Sequence, residues 1–137
     1  MKQRVPVSQI MAKVLIAVPT NKKISEVNEL FKEYNIRHIP VTEGTKLAGV
    51  ISKNDVSKLG YGAGEMDQNA LNAIYDTYEL KDVMVKKPLT VSPDTNIKDV
   101  AEILSEQSFH SLPVVDDDEV VGIVTTTDLV KYLLEQY

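Results

Sequence analysis

Gly49-Val50-Ile51-Ser52-Lys53-Asn54-Asp55 returns 73 residues later, without a gap, as Gly122-Ile123-Val124-Thr125-Thr126-Thr127-Asp128. Working outward, Ile39-Pro40-Val41 returns as Leu112-Pro113-Val114 at the same offset. Met11, Val18, Ile24, Val27, Glu29 and Glu33 return as Met84, Val91, Ile97, Val100, Glu102 and Glu106. Two copies do not make a stacked array, which needs about three or more repeats to bury a continuous core. The pattern predicts two similar units related by a pseudo-two-fold axis, with any functional site duplicated where they face each other.

Each copy alone would be small, and a unit of about 60 residues is marginal by itself. The 137-residue chain is therefore expected to share one core between its halves. A net charge of −5 without a dense Lys/Arg run argues against nucleic acid, whose binding depends on neutralising phosphates. The absence of cysteine excludes disulfides, thiolate catalysis and thiolate metal sites. No apolar run approaches the roughly 20 residues that span a bilayer. The opening Met1-Lys2-Gln3-Arg4-Val5-Pro6 lacks a signal-peptide core. The expectation is a cytoplasmic protein that engages neither membrane nor nucleic acid.

The elements follow from changes of period. Val7–Met11 reads as a short turn or helix, and the apolar run Val14–Val18, ended by Pro19, as a buried strand. Ile24, Val27, Leu30, Phe31 and Tyr34 have helical spacing. Residues 37–42 and 46–51, around Glu43-Gly44-Thr45, read as a β-hairpin, and a second helix starts near Asp55. The second copy repeats this β-α-β-β-α order. Its strand is Leu89-Thr90-Val91, its turn Ser92-Pro93-Asp94-Thr95, its hairpin 111–115 with 120–124, and its closing helix carries Leu129, Val130, Leu133 and Leu134. Between the copies, Gly60, Gly62 and Gly64 form a loose connection. Met66, Ala70, Leu71, Ile74 and Tyr78 then mark an amphipathic helix with no counterpart in the repeat. The expected division is repeat 1 at 5–60, a linker at 61–78 and repeat 2 at 79–137.

Ser52-x-x-Asp55 and Thr125-x-x-Asp128 stand where a strand hands over to a helix. Such a pair is commonly a helix start, with a hydroxyl N-cap and an acid near the positive helix end. The same geometry suits a ligand. A carboxylate there can accept hydrogen bonds from both hydroxyls of a ribose, and first-turn N–H groups can receive a phosphate. The two roles are compatible, and the recurrence favours the ligand. Arg37 and His110 share one repeat position, with His38 beside the first and Ser111 beside the second. They are either exposed strand ends or cations for a phosphate. Asp116-Asp117-Asp118-Glu119 lacks the alternation and glycine of a calcium loop and reads as a solvated turn. No metal site, nucleophile elbow, zinc-protease helix or P-loop is present, so an enzyme is not expected.

The ordered set, an apolar residue before Pro-Val, an acidic or glycine turn, then Gly, two apolar residues, Ser or Thr and Asp three further on, resembles the CBS domain. Its two copies, at about 7–59 and 80–133, resemble a tandem CBS pair, or Bateman module. The resemblance implies an α+β fold of two β-α-β-β-α repeats packed sheet to sheet about a pseudo-two-fold axis. It also implies two clefts that bind adenosine nucleotides. One cleft would use Ser52 and Asp55, with Met84 and Leu89 beside the adenine. The other would use Thr125, Thr127 and Asp128, with Met11 and Ile16 beside the base. Arg37, His38 and His110 would serve the phosphates. The second site is favoured for its hydroxyl run, and with Asn54 opposite Thr127 and Arg37 opposite His110 the clefts need not be equivalent.

The expected function is regulatory. The module binds AMP, ADP or ATP as a ligand, requires no cofactor, and signals to an effector protein or to the mate in a homodimer. Exposed helix faces at Val56–Leu59 and Leu129–Leu134 would supply the dimer surface. The alternatives are a structural dimerisation module with vestigial clefts, or a sensor of S-adenosylmethionine.

Overall fold

The computed structural model describes residues 4–14, 16–61, 64 and 66–137. Expectations that touch residues 1–3, Leu15 or Gly62 lie outside the described residues. In chain order the elements are a 3-10 turn at Val7–Gln9, β1 Ala12–Lys13, β2 Val18–Pro19, α1 Ile24–Tyr34, β3 His38–Glu43, β4 Lys46–Ser52 and α2 Lys53–Leu59. They continue with α3 Gln68–Tyr75, α4 Leu80–Val83, β5 Val85–Lys86, α5 Ile97–Glu106, β6 Ser111–Asp116, β7 Glu119–Thr125 and α6 Thr126–Glu135. The fold is mixed α+β, as expected.

The chain folds into two compact units, Leu15–Lys87 and Met1–Val14 with Pro88–Tyr137. The sequence repeats begin earlier than these units do. The leading segment of each copy joins the unit built around the hairpin of the other copy. In one unit β1 pairs antiparallel with β7, Ala12 opposite Ile123 and Lys13 opposite Gly122. In the other, β5 pairs antiparallel with β4, Val85 opposite Val50 and Lys86 opposite Gly49.

Each unit has a hydrophobic cluster of its own among the described residues. In the 15–87 unit, Ile24, Val27 and Phe31 of α1 and Val56 of α2 pack with Ile39, Val41 and Ile51 of the hairpin. Tyr75 of α3 and Leu80 of α4 complete that cluster. In the other unit, Val100 and Leu104 of α5 pack with Leu112, Val114 and Val124, and Val7 closes the cluster at 0% exposure. Each small core is enlarged by a segment from the other copy, which is where a marginal unit gains apolar burial.

Of the strand expected at 14–18, Leu15 lies outside the described residues, Val14, Ile16 and Ala17 lie in no strand and Val18 alone does; the strand expected at 89–91 is reduced to a bridge at Val91. Val14 donates its N–H to Val121 O at 3.3 Å, while Val18 pairs in parallel with Val41. The ends of that apolar run therefore serve different units, and neither makes a long strand. In the same way Lys87 N–H reaches Ala48 O at 3.3 Å, and Val91 forms only an isolated bridge to Val114. The leading strands are the two-residue β1 and β5 instead.

Both hairpins form as expected, and their registers repeat. Ile39 faces Ile51 and Val41 faces Gly49; Leu112 faces Val124 and Val114 faces Gly122. A register shift follows Val41 in one and Val114 in the other. The acidic turn is a tight reversal, with Asp117 and Asp118 at φ of 50° and 66°, the left-handed pair that suits strand twist. No group of three or more acidic or histidine side chains placed to hold a metal occurs among the described residues.

The connection contains the predicted helix, but α3 covers only Gln68–Tyr75 and packs on α1 and α2. Within the expected dimer face at Val56–Leu59, Val56 is 0% exposed and packed in the core with Tyr75, Leu59 is half-buried, and Ser57 and Lys58 are exposed.

Candidate functional site

Each unit presents one carboxylate at the start of the helix that follows its hairpin. Ser52 is the N-cap of α2, and its Oγ accepts the Asp55 N–H at 3.0 Å. Asp55 Oδ2 accepts the Ser52 N–H at 2.9 Å, closing a reciprocal capping box. In the other unit Asp128 Oδ2 accepts the Thr125 N–H at 2.9 Å, and Thr125 Oγ1 accepts the Asp128 N–H at 3.2 Å. The Thr125 hydroxyl also donates to Asp128 Oδ2 at 3.0 Å, a bond that the Ser52 hydroxyl does not repeat.

The capping reading is therefore correct for both motifs, and it leaves chemistry over. The bonds that the two carboxylates accept all end on Oδ2, so Oδ1 of Asp55 and of Asp128 makes no hydrogen bond among the described residues. Both side chains are part-buried at the helix end. An ionised carboxylate accepts only, and one held by its own backbone at Oδ2 offers Oδ1 in a fixed direction. Two adjacent hydroxyls, as on a ribose, suit that acceptor.

The fold brings the basic residues to the same corners through backbone pairing. His38 stands directly opposite Ser52 across the hairpin, and Ser111 opposite Thr125. Arg37 O accepts the Lys53 N–H at 2.8 Å, and His110 O accepts the Thr126 N–H at 3.0 Å. Arg37 and His110 are exposed, and His38 is half-buried. The side chain of exposed Thr127, one residue before Asp128, makes no hydrogen bond among the described residues.

Met84 and Met11 lie in the units of Asp55 and Asp128 respectively, each packed on that unit's core. Ile16 belongs to the unit of Asp55, and Leu89, 49% exposed, to the unit of Asp128.

Two glycines outside the predicted site residues also shape these corners. A Cβ on Gly49 would lie 2.5 Å from Val85 O and 2.7 Å from Met84 Sδ; one on Gly122 would lie 2.5 Å from Met11 Sδ and 2.9 Å from Ala12 O. Only glycine lets the methionine and the strand after it cross the hairpin this closely. The signal was present: each methionine and each glycine recurs at the 73-residue offset. The crossing of elements, however, is not visible in a repeat.

Comparison with known proteins bears on this arrangement. The CBS domain matches at residues 7–62 and 80–135. The uncharacterized protein MJ0188 of Methanocaldococcus jannaschii is 32% identical over 96% of this chain, which spans 45% of that protein's length. Among solved structures, the CBS domain pair of protein MJ0100, in complex with 5′-methylthioadenosine and S-adenosyl-L-methionine, is similar at TM-score 0.81 and 26% identity. That match covers 98% of this chain and all of the other. CBSX2 from Arabidopsis thaliana, solved in complex with AMP, is similar at TM-score 0.75 and 31% identity, covering 96% of this chain and 97% of its own. With two matched copies over most of its length, the exchanged leading segments and the doubled helix-start acids, the chain belongs to the CBS domain family as a tandem pair.

Proposed function

We propose that the protein is a regulatory module that binds an adenosine nucleotide, AMP, ADP or ATP, at the hydroxyl–acid corner of each unit. The observation that carries this reading is the doubled capping box with one carboxylate oxygen left over. Asp55 and Asp128 take the ribose hydroxyls through Oδ1, while Ser52, Thr125 and Thr127 stand at the helix end nearest the phosphate. Arg37 and His38 in one unit, and His110 in the other, balance phosphate charge. The methionines Met84 and Met11, with strands β5 and β1 beyond them, form the apolar side for the base. Ile16 and Leu89 are assigned the same apolar role. The site with the hydroxyl run, Thr125 to Thr127, is the stronger of the two. Binding acts on an effector protein or a second copy, and only through a difference in affinity between two states of the chain.

Calorimetric titration with AMP, ADP, ATP and S-adenosylmethionine tests this reading. Saturable AMP or ATP binding is expected, weakened more than about tenfold by Asp128→Ala, since a hydrogen bond to a charged group is worth about 1.5–3 kcal/mol. Unchanged binding in both Asp55→Ala and Asp128→Ala, with the fold intact, removes the site assignment. A second reading rests on the MJ0100 pair, whose ligands carry a sulfonium or thioether in place of phosphate. If S-adenosylmethionine binds and AMP does not, that reading replaces the first. No binding by any of the four leaves a purely structural module.

A further inference from the structure

The two hydroxyl–acid corners carry the same acid but different cations. In the Asp55 unit the residues that meet there are Arg37, His38, Lys53 and Asn54. At the same repeat positions the Asp128 unit has His110, Ser111, Thr126 and Thr127. Backbone bonds fix the meeting. Lys53 N–H donates to Arg37 O at 2.8 Å, and Thr126 N–H to His110 O at 3.0 Å, so each pair stands at the open end of its hairpin beside the capping box. Other cations recur, Lys86 with Lys13 and Lys58 with Lys131, and so favour neither unit.

Arg37 and Lys53 are both exposed, and neither forms an ion pair among the described residues. Arginine keeps its charge at any pH a folded protein meets and offers a fork of donors that fits phosphate oxygens, while lysine adds a mobile point charge. In the other unit the position of Lys53 holds a neutral group already engaged, since the Thr126 hydroxyl donates to His110 O at 3.4 Å. The Thr125 hydroxyl is likewise spent on Asp128. Counting histidine as neutral, these positions together with the acid carry +1 in the Asp55 corner and −1 in the Asp128 corner.

We infer that the two corners sort adenosine ligands by charge. The Asp55 corner takes the triphosphate, ATP, with Arg37 and Lys53 on its outer phosphates. The Asp128 corner takes adenosine ligands of low charge, with AMP as the nucleotide that fits. This sorting rests on the adenosine reading proposed above, to which it adds Lys53 as a phosphate ligand. The acid and its capping box are common to both corners, so they supply affinity without discrimination. Selectivity is a difference of affinities, and it comes from the positions that differ. Phosphates beyond the first gain cations in one corner. In the other they meet a carboxylate with no fixed cation to offset it, a like-charge contact that suppresses the wrong ligand.

Calorimetric titration of the whole chain with metal-free AMP and ATP, one acid removed at a time, tests the sorting. In Asp128→Ala, which leaves the Asp55 corner, ATP is expected to bind about tenfold more tightly than AMP, the order that two exposed charge pairs supply. In Asp55→Ala, AMP is expected to bind more tightly than ATP. Arg37→His with Lys53→Thr, added to Asp128→Ala, gives the first corner the residues of the second. It is expected to abolish the ATP preference and keep AMP binding. The converse pair, His110→Arg with Thr126→Lys, added to Asp55→Ala, is expected to create an ATP preference. All four positions are exposed, so circular dichroism is expected to stay unchanged. Added salt is expected to shrink the ATP preference of the Asp55 corner, because exposed charges are screened. The same ratio of ATP to AMP affinity in the two single-acid variants overturns the sorting while leaving nucleotide binding in place. A ratio indifferent to Arg37→His with Lys53→Thr does the same. No binding of either nucleotide by the wild type overturns both readings.

Discussion

At Gly122 and Gly49 a single hydrogen in place of a side chain decides whether the leading segments can dock. At Gly49 the nearest obstacle to a methyl group is the Val85 carbonyl, at 2.5 Å, whereas at Gly122 it is the movable tip of Met11 at the same distance. Overpacking of this kind costs about 1–3 kcal/mol. Gly49→Ala is therefore expected to destabilise more than Gly122→Ala, read as a shift in urea midpoint at constant slope. The two caps make a second comparison. Ser52→Ala and Thr125→Ala are each expected to cost about 0.5–2 kcal/mol. Thr125→Ala is expected to lie at the upper end, since its hydroxyl both accepts from and donates to Asp128. Thermal or urea unfolding measures the pair.

At the scale of elements, α1 and α3 depend on each other. The N-cap position of α1 is Lys23, which makes no side-chain cap bond; the carboxylate of Asp76 serves the first turn instead, from 51 residues away. Asp76→Ala is expected to cost about 1 kcal/mol, the usual net worth of such bonds at an exposed site. Tyr75→Ala, which empties a buried position, is expected to cost about 3 kcal/mol or more. Denaturant titration of both variants separates capping from packing. If Asp76→Ala proves the more costly, α3 is held by its end and not by its apolar face. The stripe Met66, Ala70, Leu71, Ile74 and Tyr78 was legible as a helix, but its docking site was not. Periodicity shows that a face must be covered without showing by what.

At the scale of the molecule, the exchange of leading segments makes the two units depend on one another through the chain. Val7, at 0% exposure, belongs to the core of the second repeat, and Leu80, at 2%, to the core of the first. A fragment of residues 15–87 is accordingly expected to hold helical structure by circular dichroism. A fragment of residues 1–62, which follows the repeat boundary, lacks Leu80, Tyr75 and β5 and is expected to be largely unfolded. Val7→Ala is expected to speed hydrogen exchange in α5, β6 and β7 while leaving α1 and β3 unaffected. Equal structure in the two fragments would place the folding boundary at the sequence repeat instead.

The sequence by itself determined the duplication, the hairpins, the helices and the two helix-start acids. Each of these depends on neighbours within one hairpin, one helix face or one capping box, so residue type and spacing suffice. Tertiary structure alone decided which copy's leading segment completes which core, why the 14–18 run is not one strand, and that α3 packs on α1 and α2. Those outcomes depend on contacts between residues tens of positions apart. There, loop-closure entropy and apolar burial compete in ways no local pattern records.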